Sequence, residues 1–240
     1  MEPRAQAGWA SDLSPDVYAA WRSSEIGEMT EHLERQLILE LIGDANGRNV
    51  LDVGCGDGDL AVALWRRGAK AVGIDVSDAM IAAAEARAKK HGADVAFHLA
   101  AAENLPFPPE RFDVVVAVTI LCFVENPAAI FREIARVLRP GGRLVIGELG
   151  KWSSWAVERR IRAWLGSRLW RSGRFRTARE LQHLAMQAGL APGPARGAVY
   201  YPRWAPAMRL MAPFDSALGR LTTAGAAFLA LSAIKPHDKV

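Results

Sequence analysis

Residues 50–58 read VLDVGCGDG, and the fold turns on this stretch. Val50–Val53 is short, apolar and β-branched, as a buried strand should be. Three glycines at alternate positions follow, Gly54, Gly56 and Gly58, and then a helical pattern over Leu60–Arg67 that ends at Gly68. Glycine lets a backbone approach a ligand closely and take a positive φ. The helix N-terminus adds free N–H groups and a positive partial charge. A dinucleotide loop would need G-x-G-x-x-G, but Asp59 stands at the sixth position. Together Asp52, Asp57 and Asp59 would repel a pyrophosphate and suit a ligand carrying an amine or a sulfonium. Asp75 comes 21 residues after Gly54, at the end of the next apolar run, Ala71–Ile74. A carboxylate there can accept hydrogen bonds from both hydroxyls of a ribose. The plainer alternative is an ordinary strand–helix turn beside an acidic helix cap.

Outward from this loop, short apolar runs alternate with helices. Ser77 caps a helix that runs to His91 and stops at Gly92, and Val95–Leu99 and Asp113–Val118 read as strands. Asn126 caps a further helix with Pro127 at its first position. That helix carries Ile130, Ile134, Val137 and Leu138 and ends at Pro140, before a fifth strand, Arg143–Ile146. Such alternation argues for a parallel sheet with helices on both faces, binding its ligand beyond the carboxyl ends of the strands. Upstream, residues 1–45 read as helical, with apolar positions Met29, Leu33, Leu37 and Leu41 in the longer segment.

Composition narrows the classes. The chain has 240 residues, 50% hydrophobic and 23% charged. These are globular values, and they exclude disorder, collagen-like repeats and a disulfide-framed mini-protein. Two cysteines, Cys55 and Cys122, and five scattered histidines form no metal-ligand spacing. A reducing, cytoplasmic setting with no metal is expected. No signal-peptide pattern opens the sequence. The longest apolar run, residues 224–234, is about half of the ~20 residues that a membrane span needs. Charge is uneven: residues 1–150 hold 15 Lys/Arg against 22 Asp/Glu, and residues 151–240 hold 15 against 4. This marks either an anionic partner or a solvated, arginine-rich face.

Four segments in order, VLDVGCGDG (50–58), GIDVSDAM (73–80), AENLPFPPERFDVVVA (102–117) and IARVLRPGGRLVI (134–146), resemble the class I S-adenosylmethionine-dependent methyltransferases, in the broad group related to quinone methyltransferases. The resemblance implies a Rossmann-like α/β fold: a doubly wound, mostly parallel seven-stranded sheet with helices on both faces. One domain would span residues 1–240, with a helical lid at 1–45, a cofactor-binding core at 46–150 and an acceptor-side cap with the final strands at 151–240. The implied cofactor is S-adenosylmethionine, leaving S-adenosylhomocysteine. Gly54, Cys55 and Gly56 match the loop holding its methionine part, and Asp52 matches the acidic support of that loop and of the ligand's amine. Asp75 matches the ribose carboxylate, Val76 and Met80 flank the adenine, and Ala102 and Glu103 meet its edge. Val118 and Thr119 match residues beneath the methionine part, and Tyr18 and Trp21 resemble an aromatic pair in the lid. Two positions depart from the pattern. Ala100-Ala101-Ala102 replaces a frequent G-D-A, and Cys122-Phe123 stands where many relatives carry a histidine.

Displacement at a methyl sulfonium asks mainly for proximity and orientation, and no general base can be named from the sequence. His98 reads as a strand residue rather than a base. Cys122 reads as a small buried hydrophobe or, from a likeness to some thiol S-methyltransferases, as a group near the acceptor. The last third is expected to roof the acceptor. Trp152, Trp155, Tyr200, Tyr201 and Trp204 would line the pocket or simply pack the cap, and Arg159 or Arg160 would meet an anionic group. Residues 151–176, rich in Trp and Arg, could also rest on a membrane surface. The capping box Thr177–Glu180 opens a helix ending at Gly189. Val199–Tyr201 and Ala226–Ile234 read as the final strands, with Pro202–Thr223 as a cap between them. The expected partner is a small-molecule acceptor, with a thiol or a lipid or quinone as alternatives. A nucleic-acid substrate is not expected: no N-P-P-Y tetrad is present, and Asn126-Pro127 reads as a helix start. A nicotinamide oxidoreductase lacks its third glycine here, and a non-catalytic binder on the same fold stays open.

Overall fold

Val50, Leu51 and Val53 are fully buried, because the strand they form is covered on both sides. The computed structural model describes residues 15–237, without the side chains of Pro15, Asp16 and Tyr18. Its order is α1 (Pro15–Arg22), α2 (Glu25–Ile42), β1 (Asn49–Val53), α3 (Asp59–Arg66), β2 (Lys70–Asp75), α4 (Asp78–His91), β3 (Ala96–Leu99), β4 (Phe112–Val118), α5 (Pro127–Val137) and β5 (Leu138–Leu149). After these come α6 (Ser154–Trp164), α7 (Arg168–Ser172), α8 (Ala178–Gln187), β6 (Ala191–Pro192), β7 (Arg196–Ala198), α9 (Ala205–Met211), α10 (Asp215–Leu221) and β8 (Phe228–Ile234). The sheet runs β3-β2-β1-β4-β5-β8-β6, with β7 also on β8. Strands β1 to β5 are mutually parallel, and β8 enters antiparallel beside β5.

Period-2 alternation divides the core between the two faces. Val115, Ala117, Leu144 and Ile146 pack with Ile130, Ile134 and Val137 of α5 and with Leu181 and Ala185 of α8. Val114, Val116 and Val145 pack with Leu33, Leu37, Ile38 and Ile42 of α2, and with Trp155 and Tyr201. Local signals act where they stand in the sequence. The Ser77 and Asn126 side chains accept the N–H groups of Met80 and Ala129, Gly92 closes α4 in the left-handed region, and Thr177 and Glu180 form the capping box.

The chain leaves β1 in one direction and re-enters at β4 on its other side, so the sheet reverses order between these strands. Their carboxyl ends open a crevice, as at other such switch points. Among the described residues the sheet counts seven strands plus the two-residue β6. Val199–Tyr201 is not a strand. Val199 takes φ 64°, and the buried Asp215 carboxylate accepts the N–H groups of Val199 at 3.0 Å and Tyr200 at 2.9 Å, which ends the ladder at Ala198.

Candidate active site

The loop after β1 places three glycines in the left-handed region: Gly54 at φ 71°, Gly56 at 52° and Gly58 at 75°. A Cβ on Gly54 would stand 2.1 Å from Cγ2 of Ile120, so the close approach of the segment after β4 requires glycine there. A Cβ on Gly56 would meet only open space. That space is a cavity of about 530 Å³ at the crevice, the size of a small-ligand site.

Two carboxylates face it from adjacent strands. Asp75 accepts the Gly56 N–H at 3.0 Å and the Ser77 N–H at 2.9 Å, one on each oxygen. Each carboxylate oxygen has capacity for a further donor. Burial raises the pKa of Asp75 despite those bonds. Asp52 is 3% exposed, and its Oδ2 is buried without a hydrogen-bond partner. Burial, then the charges of Asp75 and Asp59, push its pKa up to about 7. Such an oxygen calls for a cationic donor.

Asp57 and Asp59 line the same cavity as Asp52, but unlike Asp52 both are already paired with arginines. Both belong to an ion network. Arg22 of α1 reaches Asp57 at 2.6 Å and Asp59 at 3.3 Å, and holds Glu31 at 2.5 Å. Arg35 pairs with Asp59 at 2.5 Å, and Arg87 of α4 pairs with both aspartates. The network fastens α1, α2 and α4 to the loop.

The other wall follows β4. Thr119 takes φ 57°, unusual for a β-branched residue, and its N–H donates to Gly147 O at 2.7 Å. Beyond it, Glu148 of β5 is fully buried and accepts the Leu121 N–H at 2.6 Å, with its pKa pushed up to about 7 by burial. This holds the turn from which Ile120, Phe123 and Val124 line the cavity. Away from the glycine loop, the cavity continues between α2, α6 and α7. Thr30, Glu34 and Ile38 line it from α2, and Trp155, Arg159, Arg162, Leu169, Trp170 and Arg203 line it from the cap.

The family model for a methyltransferase domain matches residues 51–146. An uncharacterised protein of Mycobacterium tuberculosis is 33% identical over 234 residues, covering 97% of this chain and 76% of that protein. The chain belongs to the class I S-adenosylmethionine-dependent methyltransferases. It is similar to the ubiquinone biosynthesis O-methyltransferase of Sodalis glossinidius, at 38% identity over 120 residues, which is 50% of this chain and 48% of that enzyme. In fold it resembles an S-adenosylmethionine-dependent methyltransferase of Thermotoga maritima described as a possible histamine N-methyltransferase. That match has a TM-score of 0.68 at 23% identity, over 92% of this chain and 95% of the other.

In this methyltransferase the residues expected around the cofactor converge. Trp21, Asp52, Gly54, Cys55, Gly56, Asp75, Val76, Met80, Ala102, Glu103, Val118 and Thr119 all line the one cavity. The Tyr18 side chain lies outside the described residues. The expected acceptor-side residues scatter. Trp155 lines the cavity and donates its Nε1–H to Tyr201 O at 2.7 Å. Cys122 is fully buried behind the wall, with its thiol on Thr119 O at 3.4 Å and its pKa raised by burial. Tyr201 is fully buried, its hydroxyl 3.0 Å from Thr30 Oγ1. Tyr200 gives its hydroxyl proton to Thr222 O, and Trp152 and Trp204 are exposed. His98 is exposed on the edge strand, against Phe107. Arg159 faces the cavity, whereas Arg160 is exposed and donates to Lys151 O. Sequence reading missed Glu34 and Trp170. Glu34 sits at helical spacing between Thr30 and Ile38, a polar position on an inward face.

Proposed function

We propose that this chain transfers the methyl group of S-adenosylmethionine to a small-molecule acceptor bound in the same cavity, releasing S-adenosylhomocysteine. The unpartnered Asp52 oxygen beside Asp75, in a cavity floored by an open glycine loop, carries the reading. When bound, S-adenosylmethionine supplies an electrophilic methyl on a cationic sulfur. The residues fit that group. Asp52 offers its free oxygen to the amino group, and the remaining capacity of Asp75 goes to the ribose hydroxyls. Val76, Met80, Ala102 and Glu103 border the adenine, and Gly54, Cys55, Gly56, Val118 and Thr119 border the methionine part. Trp21 stands over the site from α1. The chain's work is to bind, orient and exclude water, which suits an in-line displacement. Residues 1–240 act as one unit, with lid, core and cap as laid out from the sequence. The free cysteines Cys55 and Cys122 suit a reducing cytoplasm.

The test is calorimetry with S-adenosylhomocysteine, followed by labelled-methyl transfer from S-adenosylmethionine into fractionated cell extract. Saturable binding and label in a small-molecule fraction are expected. Failure of S-adenosylhomocysteine to bind sinks the reading, and label on nucleic acid moves the acceptor to another class.

A second reading concerns where the enzyme works. Val157, Ile161, Trp164 and Leu165 form an exposed apolar stripe at helical spacing on α6 and just beyond it, with Trp164 85% and Leu165 71% exposed. Arg160, Arg162, Arg168, Arg171 and Arg174 are exposed around it. This pattern fits the surface of an anionic bilayer. Among the described residues no helix is long and apolar enough to cross a membrane.

A further inference from the structure

One arginine in the cavity is caged but not hydrogen-bonded. The Arg159 guanidinium carbon lies 4.8 Å from the ring centre of Trp170, 5.3 Å from Trp155 and 6.0 Å from Phe175. Aromatic faces stabilise a cation, yet they leave the in-plane N–H groups of the guanidinium without acceptors. Its Nη1 is buried and has no hydrogen-bond partner. A buried charged donor left this way is costly unless something docks on it.

The neighbouring charges do not answer the need. Arg162 and Arg203 share Glu158, at 2.7 and 3.2 Å. Glu34 faces Arg159 across the cavity from α2. Burial pushes the pKa of Glu34 up to about 8, so near neutral pH it is mostly protonated, and Arg159, Arg162 and Arg203 together leave positive charge beyond what Glu158 offsets. Ile38, Phe123, Val124 and Leu169 make much of the remaining wall apolar.

We infer that the methyl acceptor is an apolar acid whose single carboxylate docks on the in-plane N–H edge of Arg159. This rests on the methyltransferase reading and gives its acceptor a chemical class. Trp155 and Trp170 hold the guanidinium flat, and the apolar wall takes the hydrocarbon or aromatic body. A planar carboxylate fits the parallel N–H groups of a guanidinium edge, and the apolar wall accepts the body that follows it. Arg159 is thereby a specificity determinant.

The probes are arylalkanoic acids with two to five methylenes, their primary amides and the matching alkyl phosphates. Each is titrated into protein saturated with S-adenosylhomocysteine and read by tryptophan fluorescence. The acids should bind at least tenfold more tightly than the amides, and the phosphates no more tightly than the acids. Arg159→Gln should erase the acid preference and leave S-adenosylhomocysteine affinity intact. Arg159→Met, which keeps an apolar stem against Trp170, is the second variant should the first fail to fold. Equal binding of acid and amide, no saturable acid binding, or a preference that survives both substitutions overturns the assignment. Tighter phosphate binding overturns the carboxylate class. If S-adenosylhomocysteine itself fails to bind, the methyltransferase reading falls, and the acid preference is then read on ligand-free protein.

Discussion

The Gly56 N–H donates to Oδ2 of Asp75 at 3.0 Å, so the turn after β1 and the end of β2 are joined by a side chain that also lines the cavity. Asp75→Ala removes this tie, the Ser77 bond and the ribose contacts at once. Charge-assisted bonds are worth about 1.5–3 kcal/mol each. The loss of one such ribose bond lowers S-adenosylhomocysteine affinity roughly 10- to 150-fold by calorimetry, and loss of both lowers it further. Unchanged affinity would place the ribose elsewhere.

Asp52 makes the site sensitive to pH. Its folded pKa of about 7 lies above the ~3.9 of an unfolded aspartate. Its contribution to ligand-free stability is therefore full below pH about 4 and is lost as pH rises through about 7. Asp52→Asn should raise the melting temperature of ligand-free protein more at pH 8 than at pH 5. An amino group binding to the ionised form reverses the sign for the complex. S-adenosylhomocysteine affinity should drop about tenfold from pH 8 to pH 6, with proton uptake by the buffer near pH 7. A flat affinity profile would disprove this role for Asp52.

Gly54 combines a left-handed φ with a 2.1 Å approach to Ile120. Gly54→Ala should cost about 2–4 kcal/mol, from the dihedral and the overlap together, seen as a fall in Tm. Adding Ile120→Ala should recover only the overlap part. Complete recovery would mean that the dihedral carries no strain.

The stripe on α6 predicts membrane association. Sedimentation with anionic vesicles should exceed that with neutral ones and weaken as salt rises. Trp164→Ala with Leu165→Ala should reduce it severalfold. Equal sedimentation of the double variant would rule out the stripe as the contact.

The parallel half of the fold was legible because its determinants are local. Strand runs, the glycine turn, Ser77, Asn126 and the Thr177–Glu180 box each act within a few residues of where they stand. The residues expected at the strand ends meet in one cavity for the same reason, since the strands supply them in sequence order. The cap was not. Val199 looks like strand, but its conformation is set by Asp215, 16 residues away. The pairing of Arg22 with Asp57 spans 35 residues, and no local pattern announces it. Aromatic content marks Trp152, Trp155 and Trp204 alike as pocket residues, whereas only packing decides that Trp155 and Trp170 line the cavity.

The Arg22 network has a kinetic side. The first helix beside the cavity is pinned to the glycine loop proposed to hold the cofactor, through Arg22, which stays partly solvated. Uncovering the site means parting several ion pairs together, while the contacts to the ligand stay as they were. Dwell time and affinity are thereby separable. Ionic strength, which screens the pairs, becomes a throttle on how fast spent cofactor leaves, and turnover can be paced by the release of product rather than by the transfer itself.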